Sequence, residues 1–267
     1  MDMDIGPLLG DWEHHPEQVQ ARLIIGRDGR EKLQLRVELG LLQMEADGRP
    51  DGRTVGEFES LLEYHLAQLA QRRPSGGAAD SYQLDHDACL ALQAEALQYY
   101  HRYICCFALE DFERAARDTA RNLRVFDLVW ERAADTEDKW DLEQYRPYVL
   151  MMNVRARAML AVQADEWAQA TEIVSEGIRN IHDFYKSHNA TELAAASREI
   201  AFLRAFRREL RDGRPATQED LLRMRLRDAL AREDYQAAAR LRDQLHSIGP
   251  DRDAPNEDGA DAPADRA

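Results

Sequence analysis

Lysine is nearly absent. Lys32, Lys139 and Lys186 are the only three among 35 basic residues, so positive charge is carried by arginine. With the abundant alanine, this is a bias of the kind a GC-rich genome produces. Positive charge is also outnumbered: 50 acidic residues leave a formal net charge of −15, which argues against a nucleic-acid binder working through bulk electrostatics. Cysteine is scarce. Cys89, Cys105 and Cys106 offer no disulfide framework, which fits a reducing compartment. No apolar run approaches the roughly 20 residues that a membrane helix needs. The opening MDMDIGPLLGDW has no basic segment ahead of an apolar one, so a cytoplasmic location is expected. The chain also lacks a GxxxxGK[ST] phosphate loop, a dinucleotide fingerprint, a nucleophile elbow and a zinc-protease helix. Neither catalysis nor a cofactor is expected.

The residues present divide into segments of different period. Gln20 to Gly26 and Lys32 to Leu39 flank Asp28-Gly29, a hairpin signal. Leu33, Leu35, Val37 and Leu39 alternate with Gln34, Arg36 and Glu38, the period of a half-buried strand. A third strand is expected over Leu41 to Ala46, after a bend at Gly40. The loop DGRPDGR (Asp47 to Arg53) follows, then Thr54-Val55-Gly56-Glu57 in the form of a capping box. Val55, Phe58, Leu62, Leu66 and Leu69 give the ensuing helix an apolar stripe, and this helix is the nearest cover for one face of so small a sheet.

Pro74-Ser75-Gly76-Gly77-Ala78-Ala79 reads as a linker. Beyond it, periodicity predicts helices near 82–109, 111–133, 146–163, 166–187, 190–212, 218–232 and 235–248. Pro147 suits a first helical turn, and Gly213-Arg214-Pro215 and Gly249-Pro250 are stop signals. The expected fold class is α+β, mainly α. It comprises a small N-terminal antiparallel β-meander plus helix over 1–73, an α-hairpin domain over 81–212, a separate helical hairpin over 218–248, and a disordered acidic tail over 249–267.

A weak internal repeat runs through the helical part. Glu110-Asp111-Phe112-Glu113-Arg114-Ala115 parallels Asp165-Glu166-Trp167-Ala168-Gln169-Ala170 and Glu233-Asp234-Tyr235-Gln236-Ala237-Ala238. In each, carboxylates make the turn and favour the positive end of the next helix, an aromatic fills the elbow, and an alanine permits close approach. The first two of these turns resemble those of tetratricopeptide repeats. The aromatics at 112, 167 and 235 do not keep that family's roughly 34-residue period, so the array is irregular.

The stretch Leu226 to Ile248, LRDALAREDYQAAARLRDQLHSI, describes two short amphipathic helices joined by an acidic turn. With the residues from 218 onward, it resembles the UVR motif, named for the bacterial excision-repair proteins UvrB and UvrC. The matching residues are Leu226, Ala229, Glu233-Asp234-Tyr235, Leu245, Ile248 and the core Ala238-Ala239-Arg240-Leu241-Arg242-Asp243; Gln236 stands where the family commonly has glutamate. The resemblance implies a bacterial protein whose hairpin mediates protein–protein association, often with another such hairpin. The helicase and nuclease parts of UvrB and UvrC have no counterpart here. Independently, Leu222, Leu226, Ala229 and Leu230 form one stripe, and Ala238, Leu241, Leu245 and Ile248 another at heptad spacing. Packed together, they bury only one side of a two-helix unit. Large side chains left wet forgo roughly 1.5–3 kcal/mol each, so four offer about 6–12 kcal/mol gross to a partner. Association itself costs an estimated 4–15 kcal/mol, which sets the expectation at reversible pairing. Partner contact is therefore assigned to Leu222, Leu226, Ala229, Leu230, Tyr235, Ala238, Leu241, Arg242, Leu245 and Ile248. The partner is another protein or a second copy, and the alternative is docking on helix 190–212 of the same chain.

Three lesser candidates remain. Arg204, Arg207, Arg208 and Arg211 make a basic stripe, joined by Arg223, Arg225 and Arg227. It is read as a contact for phosphates or an acidic partner, as a solvated face paired with Glu199, Glu209 and Asp212, or as a seat for the acidic tail. The phosphate version would make the chain an accessory of DNA excision repair, but the stripe has no interleaved aromatic platform and nucleic acid is not the expected partner. His101 and Cys105 lie one helical turn apart, and Asp85, His86, Asp87 and Cys89 are dense, yet core packing explains them better than metal ligation. His14-His15 precedes Pro16 in a loop and reads as a solvated pair.

Overall fold

Residues 4–72 and 82–213 are described by a computed structural model, together with Leu222, Leu226, Arg240, Leu241, Arg242, Gln244 and Leu245. A short helix α1 (Gly6–Leu9) leads into the strands β1 (Ala21–Ile25), β2 (Glu31–Val37) and β3 (Gly40–Glu45). The helices α2 (Leu61–Arg72), α3 (His86–Ala108), α4 (Phe112–Arg132), α5 (Thr136–Glu143), α6 (Arg146–Gln163), α7 (Trp167–Ser187), α8 (Thr191–Ala194) and α9 (Arg198–Gly213) follow. The fold is α+β, mainly α. Met1–Glu209 forms one compact unit and Leu210–Ala267 a second. No helix among the described residues is long and apolar enough to cross a membrane.

The sheet is an antiparallel meander in the order β1-β2-β3, with Leu23 opposite Leu33 and Leu33 opposite Met44. Gly29, at φ +77, makes the first turn as Asp28-Gly29 predicts. The second turn falls at Glu38-Leu39, ahead of Gly40, which pairs with Val37 inside the ladder. Leu39 thus leaves the alternating pattern and is 89% exposed. Gln34, expected to face solvent, is buried instead: Arg22 Nε donates to its Oε1 at 2.7 Å, and its Nε2 donates to Gln43 Oε1 at 2.8 Å. The Arg22 guanidinium lies 4.2 Å from the Trp12 ring, which helps cover that face.

The apolar face of the sheet is not covered by α2. Leu33, Leu35 and Met44 share a core with Cys105 and Cys106 of α3, Ala115 of α4 and Ala156 of α6. Helix α2 instead sends Leu62 into a second core with Leu84, Leu92, Val125, Val129 and Val149. It also starts later than expected. Val55 and Phe58 exchange backbone hydrogen bonds of 2.8 and 3.0 Å around Gly56 at φ +61, a turn that a helical first turn excludes. The competing capping pair is Ser60 and Glu63, whose side chains bond each other.

The expected repeat is visible in the turns. At α3–α4, Asp111 N–H reaches back to Cys106 O (2.8 Å), with Glu110 at φ +57. At α6–α7, Glu166 N–H reaches Ala161 O (2.8 Å), with Asp165 at φ +61. A further copy closes α7, where Ala190 N–H reaches Tyr185 O (2.8 Å) around Asn189 at φ +53. Each is a left-handed helix closure that satisfies otherwise orphaned carbonyls. Ala115 and Ala170 are fully buried, as close helix approach requires. The third sequence instance, at 233–238, lies outside the described residues.

Two boundaries differ from expectation. Helix α5 was not foreseen, since its eight residues carry no apolar stripe. The helix expected over 190–212 is two, because Ser197 Oγ accepts from Ile200 N–H at 3.2 Å and restarts the chain as a cap.

Candidate functional site

The densest polar arrangement lies where α3, α4 and the loop 47–53 meet. Arg102 is 1% exposed and forks onto Asp118, with Nε to Oδ2 at 2.6 Å and Nη2 to Oδ1 at 2.8 Å. Its remaining nitrogen donates to the carbonyls of Glu45 (3.0 Å) and Gly48 (2.7 Å), tying the helix pair to the end of the sheet. One turn further along α4, Arg121 pairs with the buried Glu95 of α3. Glu95 also accepts from Leu61 N–H at 3.0 Å and lies 3.2 Å from Arg49. Tyr99 sits between the two arginines, its ring centroid 4.8 Å from the Arg102 guanidinium and 4.0 Å from that of Arg121. Burial pushes its phenol up to about 12.

This network answers what the DGRPDGR loop does. Gly48 and Gly52 adopt φ +69 and +71, and Arg49 turns inward to Glu95 while pairing with Asp51 at 3.2 Å. The loop is a clip fastened to the helices. Beside it, Asp47, Asp111, Glu113, Arg114 and Arg117 line a cleft of about 550 Å³. Its arginines are already engaged: Arg114 by Glu31, Asp47 and Asp111, and Arg117 by Asp47 and Asp118. The Arg117 hydrogen bond holds Asp47 below the ordinary carboxylate value. A phosphate entering this cleft would have to displace carboxylates, so its chemistry is that of an internal clasp.

The candidate ligand clusters separate. Asp85 caps α3 by accepting from Ala88 N–H (2.9 Å), and Cys89 points into the core. Cys105 is fully buried, and burial raises all three thiols to about 12 while lowering His101. Among the described residues, no three His, Cys, Asp or Glu side chains converge to hold a metal. His14 is half-buried and His15 exposed, the latter accepting no ligand role but donating its backbone N–H to Gln20 Oε1 at 2.7 Å.

His86 does have a partner. Its Nδ1 lies 2.7 Å from Oδ1 of buried Asp138, latching the start of α3 to α5. That hydrogen bond raises its pKa above the ordinary 6.5. The latch therefore stabilises the fold fully below pH 6.5 and loses its contribution as pH rises through the raised folded value. An NMR titration should place His86 above 6.5, and Asp138→Asn should bring it back toward that value.

An aromatic cluster was also missed by sequence. Trp130, Trp140 and Phe184 surround His188, at centroid distances of 5.0, 5.0 and 4.5 Å. Buried Glu143 accepts two 2.8 Å bonds from Arg146 and lies 3.7 Å from His188 Nε2. The aromatic cluster fastens α5 to the ends of α4 and α7.

The arginine stripe is narrower than its spacing suggests. Arg207 is half-buried and donates to Ser175 Oγ of α7 at 3.2 Å, whereas Arg204, Arg208 and Arg211 are exposed. Among the described residues, Arg204 and Arg208 make no ion pair with Glu199, Glu209 or Asp212, the pairing that the solvated-face reading supposes, and Glu199 accepts from Ser197 Oγ at 2.7 Å.

Of the proposed contact hairpin, Leu222, Leu226, Leu241, Arg242 and Leu245 are described and all are helical. Leu222 is 7% exposed, Leu226, Leu241 and Leu245 are half-buried, and Arg240, Arg242 and Gln244 are exposed. Ala229, Leu230, Tyr235, Ala238 and Ile248 lie outside the described residues, as does the acidic tail. Comparison with protein-family models, with curated proteins and with solved structures found no match.

Proposed function

We propose that the chain is a non-catalytic adaptor that docks a protein partner, or a second copy, through the helical hairpin over 218–248. The observation that carries this is the state of its leucines. Leu226, Leu241 and Leu245 are helical yet only half-buried, while the flanking Arg240, Arg242 and Gln244 are exposed. A stripe left part-wet in this way retains burial free energy to give to a partner. The UVR-like sequence supports the same role. The buried charges of the first unit support it indirectly, because Arg102, Arg121, Asp118 and Glu95 spend their hydrogen bonds on one another and on the fold.

The test is affinity capture from native lysate with intact protein and with Leu226→Asp/Leu241→Asp. Aliphatic anchors that the partner would bury, once replaced by carboxylates, should weaken its binding by at least about thirtyfold, equivalent to about 2 kcal/mol, with the melting temperature of the first unit unchanged. An identical catch from both proteins contradicts the proposal.

A further inference from the structure

Strand β1 is an edge of the sheet. Arg36 N–H donates to Gln20 O at 2.9 Å, and Gly26 N–H to Arg30 O at 2.7 Å. In an antiparallel ladder this phase directs the even-numbered residues toward β2 and turns the N–H and C=O of Ala21, Leu23 and Ile25 outward. Among the described residues these outward groups have no hydrogen-bond partner. The side chains of the same residues lie on the core face, since Ala21 opposes Leu35 and Leu23 opposes Leu33. That face runs off the edge of the sheet into solvent: Val19 is 50% exposed, Leu23 45% and Ile25 67%. Stable monomers blunt such an edge with lysine, proline or a bulge, and β1 has none of them. Its one charge, Arg22, is on the opposite face and bonded to Gln34.

We infer that β1 is the seam of a symmetric dimer, in which two copies pair their β1 strands antiparallel about a two-fold axis at Leu23. The strand is complementary to itself in this register. Leu23 meets its own copy and Ala21 meets Ile25, so apolar opposes apolar on the core face; on the other face Arg22 meets Ile24, and no like charges stand opposite each other. The outward donors and acceptors of Ala21, Leu23 and Ile25 fall on hydrogen-bonded pairs, which closes every free group on the edge. Charge agrees at the ends. Among the described residues, exposed Arg27 and exposed Glu17 make no ion pair, and the two-fold brings the Arg27 end of each strand to the Glu17 end of the other. Two meanders become one continuous sheet, and exposed Leu23 and Ile25 gain apolar neighbours across the seam. A dimer would carry two copies of the 218–248 segment.

Sedimentation velocity of the full chain over a concentration series tests this. A concentration-dependent monomer–dimer equilibrium is expected. Leu23→Lys places two lysines directly opposite at the axis and should raise the dissociation constant about tenfold or more, while melting as wild type in dilute solution, where both are monomers and the site is exposed. Leu226→Asp/Leu241→Asp should leave the dimer intact. Hydrogen exchange reads the seam without substitution: the amides of Ala21, Leu23 and Ile25 should gain protection with concentration, while Arg22 and Ile24 are protected throughout. A monomer at every concentration, a dimer indifferent to Leu23→Lys, or a dimer lost only in the hairpin variant overturns the inference. So does exchange protection that leaves Ala21, Leu23 and Ile25 unchanged, as an extended strand from a different protein occupying the edge would require of the free chain.

Discussion

Arg102→Ala should cost the first unit about 3–5 kcal/mol, because it leaves the Asp118 carboxylate charged and buried without its partner. Asp118 is fully buried and receives both arms of the guanidinium, and the same side chain holds the carbonyls of Glu45 and Gly48. A domain of ordinary stability has only about 5–15 kcal/mol in all, so the variant should be near unfolding at physiological temperature. Urea denaturation of the full chain is the measurement. The double replacement Arg102→Met/Asp118→Leu should recover much of the loss, since removing both charges avoids an orphaned one. A midpoint for Arg102→Ala within about 1 kcal/mol of wild type would show that solvent reaches Asp118 and that the clip is not a buried clasp.

Gly177→Ala is expected to destabilise, against the helix preference of alanine. Gly177 lies on α7 facing α6, and a Cβ there would stand 2.4 Å from Val154 Cγ2 and 2.8 Å from Cγ1. Alanine gains up to about 1 kcal/mol in helix propensity, while overpacking between two well-fitted helices costs about 1–3 kcal/mol. The close approach to Val154 places the cost toward the upper end of that range, so the net loss should reach about 2 kcal/mol. Val154→Ala should offset it, giving a favourable coupling of about 1 kcal/mol or more in a double-mutant cycle. An additive cycle would mean that α6 and α7 are not held at this separation.

The parts of the fold legible in the sequence are those set by local chemistry. Asp28-Gly29 fixed a hairpin because only certain residues take the turn, and Glu110-Asp111 and Asp165-Glu166 located the helix closures for a similar reason. Leu39 and Gln34 were misplaced because strand alternation says nothing of where a turn begins or of side chains that bond across strands. The sheet's cover was misassigned because α2 is nearest in sequence, whereas Cys105, Cys106 and Ala115 are nearest in space. Helix α5 has no apolar stripe and depends on neighbours such as Trp130 and His188. Arg102, Asp118, Glu95 and Arg121 were invisible as a network, since a charged residue in a helix reads alike whether buried or wet. Their one signal is position: Glu95 and Arg102 fall on the same turn-spacing as Leu92 and Tyr99, inside the buried stripe of α3. At the hairpin, the pattern supplied the candidate residues, and burial at Leu222, Leu226, Leu241 and Leu245 adds how open each one is.

The most direct test of the docking proposal is methyl NMR of leucine-labelled protein with a soluble paramagnetic probe, in dilute monomer. The methyls of Leu226, Leu241 and Leu245 should broaden strongly, while those of Leu33, Leu62 and Leu203, which are at most 1% exposed, should not. Hairpin methyls as protected as those core leucines would mean that the stripe is sealed within its own chain and has no apolar face to offer.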